Sequence, residues 1–414
     1  MVERRPTRWR RMLTAAAVLA AAVAVAPLSA EGQAHAASAT GSTYKPLSTP
    51  SRVLDTRNPG QTRLPADGTL TLQIPGVPDE ATAVVLNLTA IDPASGGFLT
   101  VYPHGETRPS TSNVDFSPNQ TTANLVMVRV ANGSVDIFNA HSPTDVVVDF
   151  EGYYEPASGS DATFTPLQTP NRILDTRVPL GVNVKAPLGP NSQLVLQISS
   201  PSAGIPDTIS AVVLNLTATG PTDTSFLTAY ATGSPRPATS NVNFGPGQNV
   251  ANLTVVPVKN GQITIWNNVG NTDVIADIFG FYSKDAGSTF TAVDPKRVLN
   301  TLDGTGAHGV APLGDNAVDS VQVVGGATGA PADATAVLLH VAVTNPTADS
   351  FLTAYADGPV QPGTSNINFS PGQIISNSMI VPVGSDGKIA LWNHHGTVDI
   401  VADISGYFTG PPSP

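Results

Sequence analysis

The chain has 414 residues, no cysteine and a formal net charge of −11. A cysteine-free chain excludes thiol nucleophiles, iron–sulfur clusters and cysteine-ligated zinc, and the acidic balance argues against nucleic acid or anionic lipid as a partner. Only 12% of residues are charged, against 37 glycines and 37 prolines, which suits a turn-rich β-protein better than a helical enzyme.

At the N-terminus, Arg4, Arg5, Arg8, Arg10 and Arg11 precede an apolar run from Met12 to about Pro27, and Ala34-His35-Ala36 follows. A positive segment, a short apolar segment and a small-x-small site predict a secretory signal peptide over residues 1–36. The apolar run falls short of the roughly 20 residues a bilayer span requires, so the anchor reading is the poorer one. No transmembrane segment is expected in the mature chain. Arg10-Arg11 also hints at twin-arginine export, although five arginines so close together make an adjacent pair common by chance. Without the leader the chain keeps 20 less 5 basic and 31 less 2 acidic residues, a net of −14.

Three copies of one long pattern follow, in a register of 120 to 128 residues. Each opens on an arginine-aspartate motif: Arg52-Val-Leu-Asp55-Thr-Arg57, Arg172-Ile-Leu-Asp175-Thr-Arg177, and Arg297-Val-Leu-Asn300-Thr-Leu302. A central strand reads Asn87-Leu-Thr89, Asn215-Leu-Thr217, then His340-Val-Ala342. Next come Phe98–Tyr102, Phe226–Tyr230 and Phe351–Tyr355, then Ser112–Phe116, Ser240–Phe244 and Ser365–Phe369. Each copy closes on an acid, a glycine and two aromatics: Asp149…Gly152-Tyr-Tyr154, Asp277…Gly280-Phe-Tyr282 and Asp403…Gly406-Tyr-Phe408. The period is far longer than a solenoid repeat, so each copy reads as a domain, over 44–155, 163–282 and 289–408.

In copy one the strand candidates, in chain order, are Arg52–Thr56, Thr69–Ile74, Thr82–Ile91, Phe98–Tyr102, Ser112–Phe116, Asn124–Val130, Ser134–Phe138 and Asp145–Tyr153. Asn132-Gly133 between two apolar runs predicts a hairpin; Asn260-Gly261 repeats it and Asp386-Gly387 substitutes chemically. Eight short strands and no helical stripe predict an all-β fold: three tandem antiparallel β-sandwiches of jelly-roll type after the signal peptide, with an Ig-like sandwich as the nearest alternative. The linkers hold about six residues, with an r.m.s. reach near 13 Å. The copies must therefore be neighbours, in a row or in a pseudo-threefold cluster.

Together these motifs resemble a repeat module of exported actinobacterial proteins, which often accompanies cell-wall hydrolases or other secreted enzymes. The resemblance covers nearly all of Tyr44–Phe408. It implies a secreted or cell-wall-associated setting and an accessory role, and no activity. Copy three departs from the pattern at Asn300, Leu302, His340 and Ala342.

Candidate site residues divide in two. Asp55 with Arg57, and Asp175 with Arg177, lie at i and i+2 and share a strand face. They read as structural ion pairs that could tie the first strand to the closing one through Asp149 and Asp277, or as a polar-ligand site. Copy three loses both charges together, as a compensated pair tolerates and as a dead ligand site would show. The second group is aromatic. Val135 and Ile137 alternate with Phe138, and the same alternation puts Trp266 and Trp392 on the face away from the core. Beside Asn267 and Asn393 they could stack on a sugar ring and bond its hydroxyls; burial against a loop or a neighbouring copy is the competing reading. Asn87, Asn113 and Asn124 recur where strands usually avoid asparagine, to close bends or to bind sugar.

No metal or cofactor is expected: His394-His395 is not repeated in the other copies, and no ligand spacing appears. No Ser-His-Asp order recurs. The acid pairs Asp145/Asp149, Asp273/Asp277 and Asp399/Asp403 would need a cleft to act as catalysts. The expectation is a non-enzymatic secreted binding or adhesion protein that recognises cell-wall or extracellular polysaccharide through repeated weak sites. A structural module packing with other secreted proteins, and an accessory to a secreted hydrolase, are the alternatives.

Overall fold

The structure, a computed structural model, describes residues 41–410 apart from Ser160, Ala286 and Pro359. The expected leader lies outside the described residues. Among these, no helix is long and apolar enough to cross a membrane.

Copy one folds as β1 (Ser42–Asp55), β2 (Thr69–Gln73), β3 (Ala83–Ile91), β4 (Gly97–Pro103), β5 (Val114–Phe116), β6 (Thr122–Arg129), β7 (Ser134–Asn139) and β8 (Asp145–Pro156). Copy two repeats the series as β9 (Thr163–Asp175), β10 (Ser192–Gln197), β11 (Ala211–Thr219), β12 (Ser225–Ala231), β13 (Val242–Phe244), β14 (Val250–Pro257), β15 (Gln262–Asn267) and β16 (Asp273–Ser283). Copy three follows with β17 (Thr289–Asn300), β18 (Val318–Gln322), β19 (Ala334–Thr344), β20 (Ser350–Ala356), β21 (Ile367–Phe369), β22 (Ile375–Pro382), β23 (Lys388–Asn393) and β24 (Asp399–Thr409). In copy one the strands pair in the orders β6-β3-β8-β1 and β2-β7-β4-β5. The other copies repeat both orders, and all the pairings are antiparallel. Two four-stranded sheets in those orders make a jelly roll, and the described residues hold three of them.

The sheets have different surroundings, and the strand sequences show it. The outer-sheet strand β7 alternates, with Val135 and Ile137 in the sandwich core. The inner-sheet strand β3 is a near-continuous apolar run because both its faces are covered. Val84, Leu86, Leu88 and Ala90 fill the sandwich core. Ala83 and Val85 face the other way, into a fourth core built by all three copies.

That shared core is capped by a closed ring of six aromatics. Tyr44, Tyr154, Phe290, Phe408, Phe164 and Tyr282 follow one another, with neighbouring ring centroids 4.4 to 5.3 Å apart. Each copy contributes one ring from its first strand and one from its last. The closing glycine is what lets them meet. A Cβ on Gly280 would lie 2.5 Å from the Phe164 ring, and one on Gly406 would lie 2.4 Å from the Phe290 ring. The first-strand aromatic therefore needs a bare backbone on which to lie. One bridge, Ser42 to Phe290, joins the inner sheets of copies one and three at this end.

Asn132 and Gly133 adopt the positive φ values, 50° and 71°, of a two-residue hairpin turn. The hairpin is only one bridge long, Ala131 to Ser134. Beyond it β6 joins the inner sheet and β7 the outer.

Candidate functional site

The opening motif builds the corner where the first strand leaves the inner sheet. Arg52 grips Asp149 on β8 with two bonds, Nε to Oδ1 at 2.8 Å and Nη2 to Oδ2 at 3.2 Å. Arg172 and Asp277 repeat the grip at 2.8 and 3.3 Å, and Arg297 and Asp403 at 2.6 and 3.2 Å. The tie between first and closing strands thus runs through the first arginine of the motif. Arg57 and Arg177 instead fold back on their own strand, each giving Nε and Nη2 to the carboxylate two residues upstream, at 2.7 to 2.9 Å. Arg57 holds the Asp55 carboxyl below the usual carboxylate range, and Arg177 does the same for Asp175. Burial pushes Asp149 and Asp277 upward, against the pull of Arg52 and Arg172.

Copy three explains its own departures. Asn300 Oδ1 accepts the Leu302 N–H at 3.1 Å, as Asp55 Oδ1 accepts that of Arg57. The turn survives while the ion pair is gone. The motif threonine is also spent: Thr56 donates to Asp145 at 2.9 Å and accepts the Val146 N–H at 2.9 Å. Thr176 with Asp273, and Thr301 with Asp399, do likewise. The repeated acid pairs are therefore structural anchors.

The recurring asparagines wire the copies to each other. Asn87 Nδ2 donates to Ser240 O, and Asn252 Nδ2 donates back to Asn87 Oδ1 at 2.9 Å. Asn252 Oδ1 accepts the Leu125 N–H at 3.1 Å, and Asp149 accepts the Ser240 N–H at 3.4 Å. Copies two and three repeat all four bonds through Asn215, Ser365, Asn377, Leu253 and Asp277. At the third seam His340 Nε2 meets Asp115 Oδ2 at 3.3 Å, and Asn124 Nδ2 donates to Ser376 Oγ at 3.1 Å. Each seam sets the inner-sheet face of one copy against the β5/β6 edge region of the next. Three such unlike-faced contacts close a ring, and each cap on an edge N–H hides a strand that would otherwise invite pairing. Asn113 Oδ1 accepts the Val101 N–H within its own copy at 2.7 Å, as Asn241 and Asn366 do in theirs.

The aromatic candidates lie on the outer sheets, facing away from the sandwich cores, and they are covered. Trp266 is 7% exposed and Trp392 9%. The Arg236 guanidinium sits 3.6 Å from the Trp266 ring centre, and Arg108 sits as close over the half-buried Phe138. Both arginines come from the loop after the fourth strand of their copy. In copy three, where Gln361 stands in place of arginine, Phe351 and His394 pack on Trp392. Each indole N–H is bonded, to Asn191 at 3.2 Å and to Asn316 at 3.0 Å.

Asn267 and Asn393 correct the expectation placed on them. Both are 0% exposed, and each Nδ2 faces three main-chain carbonyls of the surrounding loops. They close loops and are out of a ligand's reach. Sequence reasoning also missed Arg52, Arg172 and Arg297, although their threefold recurrence was a readable signal.

The best-formed hollows are small. One of about 190 Å³ lies against Arg52–Gln61, and one of about 240 Å³ lies under the loop around His308. Ligand pockets usually hold roughly 300 Å³ or more. Among the described residues no group of three or more His, Asp or Glu is placed to hold a metal ion.

No family model and no curated protein matches the sequence. Among solved structures, the chain is similar to one from the atomic structure of Sulfolobus Turreted Icosahedral Virus, at 10% identity over 90% of this chain and 91% of that chain. It is also similar, at 10% identity over 90% of each chain, to one from the triple jelly roll fold and turret assembly of an archaeal virus. Both TM-scores are 0.18, too low to carry an argument. The jelly-roll assignment rests on the strand orders above.

Proposed function

We propose that this chain is an exported, non-catalytic structural module that assembles with other proteins outside the cell. One observation carries the reading: the residues that recur in all three copies are spent on joining strands and copies. The arginine–aspartate grips, the seam asparagines and the closing glycines each have a partner inside the molecule. Repetition therefore serves the building of one body, and threefold binding is not needed to explain it.

The glycan reading keeps one observation in its favour, the recurrence of Phe138, Trp266 and Trp392 on the outer sheets. A sugar would have to displace Arg108 from Phe138 or Arg236 from Trp266, giving up a cation–π contact worth about 0.5–2 kcal/mol. Intrinsic fluorescence of the mature protein, whose tryptophans are Trp266 and Trp392, decides between the two. The structural reading expects blue-shifted emission that acrylamide quenches poorly and that no cell-wall or plant glycan alters. Red-shifted emission that a glycan protects from quenching would overturn it.

A further inference from the structure

We propose that β10 is a dimerisation edge, pairing antiparallel with β10 of a second copy of this chain. The inference rests on the assembly reading and names the partner.

The three outer sheets each end on an open edge: β2, β10 and β18 pair on one side only. Natural proteins guard such edges with charge, proline or bulges, because unpaired N–H and C=O groups recruit other strands. Of these three edge strands, β18 carries a charge of its own, Asp319, and β2 has one on the neighbouring β7, Asp136, which accepts the Thr71 hydroxyl at 2.7 Å. β10 reads Ser-Gln-Leu-Val-Leu-Gln, and its neighbour β15 reads Gln-Ile-Thr-Ile-Trp-Asn. Neither strand holds a charge, a proline or a glycine. Where copy one sets Asp136 opposite Thr71, copy two has Thr264 opposite Val195.

The edge is also complementary to itself. Ile198 N–H donates to Gly261 O in the β10–β15 ladder. Alternation from there turns the N–H and C=O groups of Gln193, Val195 and Gln197 toward open solvent. Centred on Val195, an antiparallel twofold sets Val195 against Val195 and Gln193 against Gln197. On the core side it sets Leu194 against Leu196, and it covers Leu194, which the open sandwich leaves half-buried. Val195, 48% exposed, gains an apolar partner. The contact is isologous and closes after two copies, joining two outer sheets into one of eight strands. The chain's net charge of −11 does not act at the edge itself, where no charged side chain stands on either strand.

The absence of cysteine gives a clean test on the full mature chain. In a hydrogen-bonded antiparallel pair, facing Cα atoms lie about 5.5 Å apart, within reach of a disulfide. Val195→Cys is expected to form a covalent dimer under mild oxidant. Gln193→Cys alone is not, because its twofold mate sits about 14 Å away at strand spacing. A mixture of Gln193→Cys and Gln197→Cys is expected to cross-link. Sedimentation should show a concentration-dependent shift from one chain to two, and Val195→Lys should abolish it while leaving the melting temperature of the dilute, single-chain form unchanged. A single-chain mass at every concentration, or cross-linking no better for Val195→Cys than for Gln193→Cys, overturns the pairing. The glycan titration separates the two levels: a monomer indifferent to glycans loses only the pairing, whereas glycan protection of tryptophan overturns the assembly reading itself.

Discussion

The seams between copies one and two, and between two and three, are wired by the same four bonds; the seam between three and one is not. In the first two, asparagine meets asparagine, and every side-chain nitrogen and oxygen of that pair has a partner. In the third, His340 and Ser376 replace asparagine as partners, and Asn124 Oδ1 and His340 Nδ1 are buried without a partner. The third seam is also the one that no linker spans. Ends joined by a short linker stay neighbours whatever the seam is worth, yet here the linked seams carry the fuller networks. An exposed ion pair, Arg129 with Asp294, supports the unlinked seam at its rim, where water weakens it. The lesson is that the pseudo-symmetry is held by three joints of unequal strength.

Asn252→Ala removes three buried hydrogen bonds and should cost about 3 kcal/mol at about 1 kcal/mol each. Asn124→Ala, at the other seam, removes two and should cost about 2 kcal/mol. Equal losses in denaturant unfolding would show that the seams do not differ.

Copy one alone buries a carboxyl, Glu151, where copies two and three have Phe279 and Ser405. Burial, then repulsion from Asp149, pushes its pKa well above the ordinary value. The stability this group contributes is therefore complete below its unfolded pKa, near 4.3, and is lost as pH rises through the folded value. Glu151→Gln should leave stability unchanged in acid and raise it in alkali, where the wild type must carry a buried, ionised carboxyl. Parallel pH–stability curves for variant and wild type would refute the assignment.

The smallest effect concerns the opening motif. Asp55→Ala strands Arg57 and one N–H at the corner, and should cost about 1–2 kcal/mol. The double change Asp55→Asn with Arg57→Leu copies the third repeat, and should stay within about 0.5 kcal/mol of wild type. A double variant as unstable as the single one would mean that copy three compensates elsewhere.

Much of this was legible in the residues. Alternation in Ser134–Phe138 placed Val135 and Ile137 inward, and turn chemistry marked the Asn132-Gly133 hairpin. The first ten residues of β1 are not legible as strand, because Ser42–Ser51 has no clean alternation: its start turns inward to bring Tyr44 to the aromatic ring. Exposure of the tryptophans was not legible, because their covers arrive from elsewhere in the fold. Arg236 lies 30 residues before Trp266, and the bond from Trp266 to Asn191 spans 75 residues.

What the sequence determined by itself was local or periodic: three copies, eight strands in each, polar turns between them, an all-β sandwich. Those follow from side-chain alternation and turn preference, which act within a few residues. Only the tertiary structure decided which arginine meets Asp149, whether Trp266 and Trp392 face solvent, and that the three sandwiches close around a fourth core. Those outcomes hang on contacts between residues 30 to more than 200 positions apart, and sequence spacing carries no record of which distant partner a buried polar group finds.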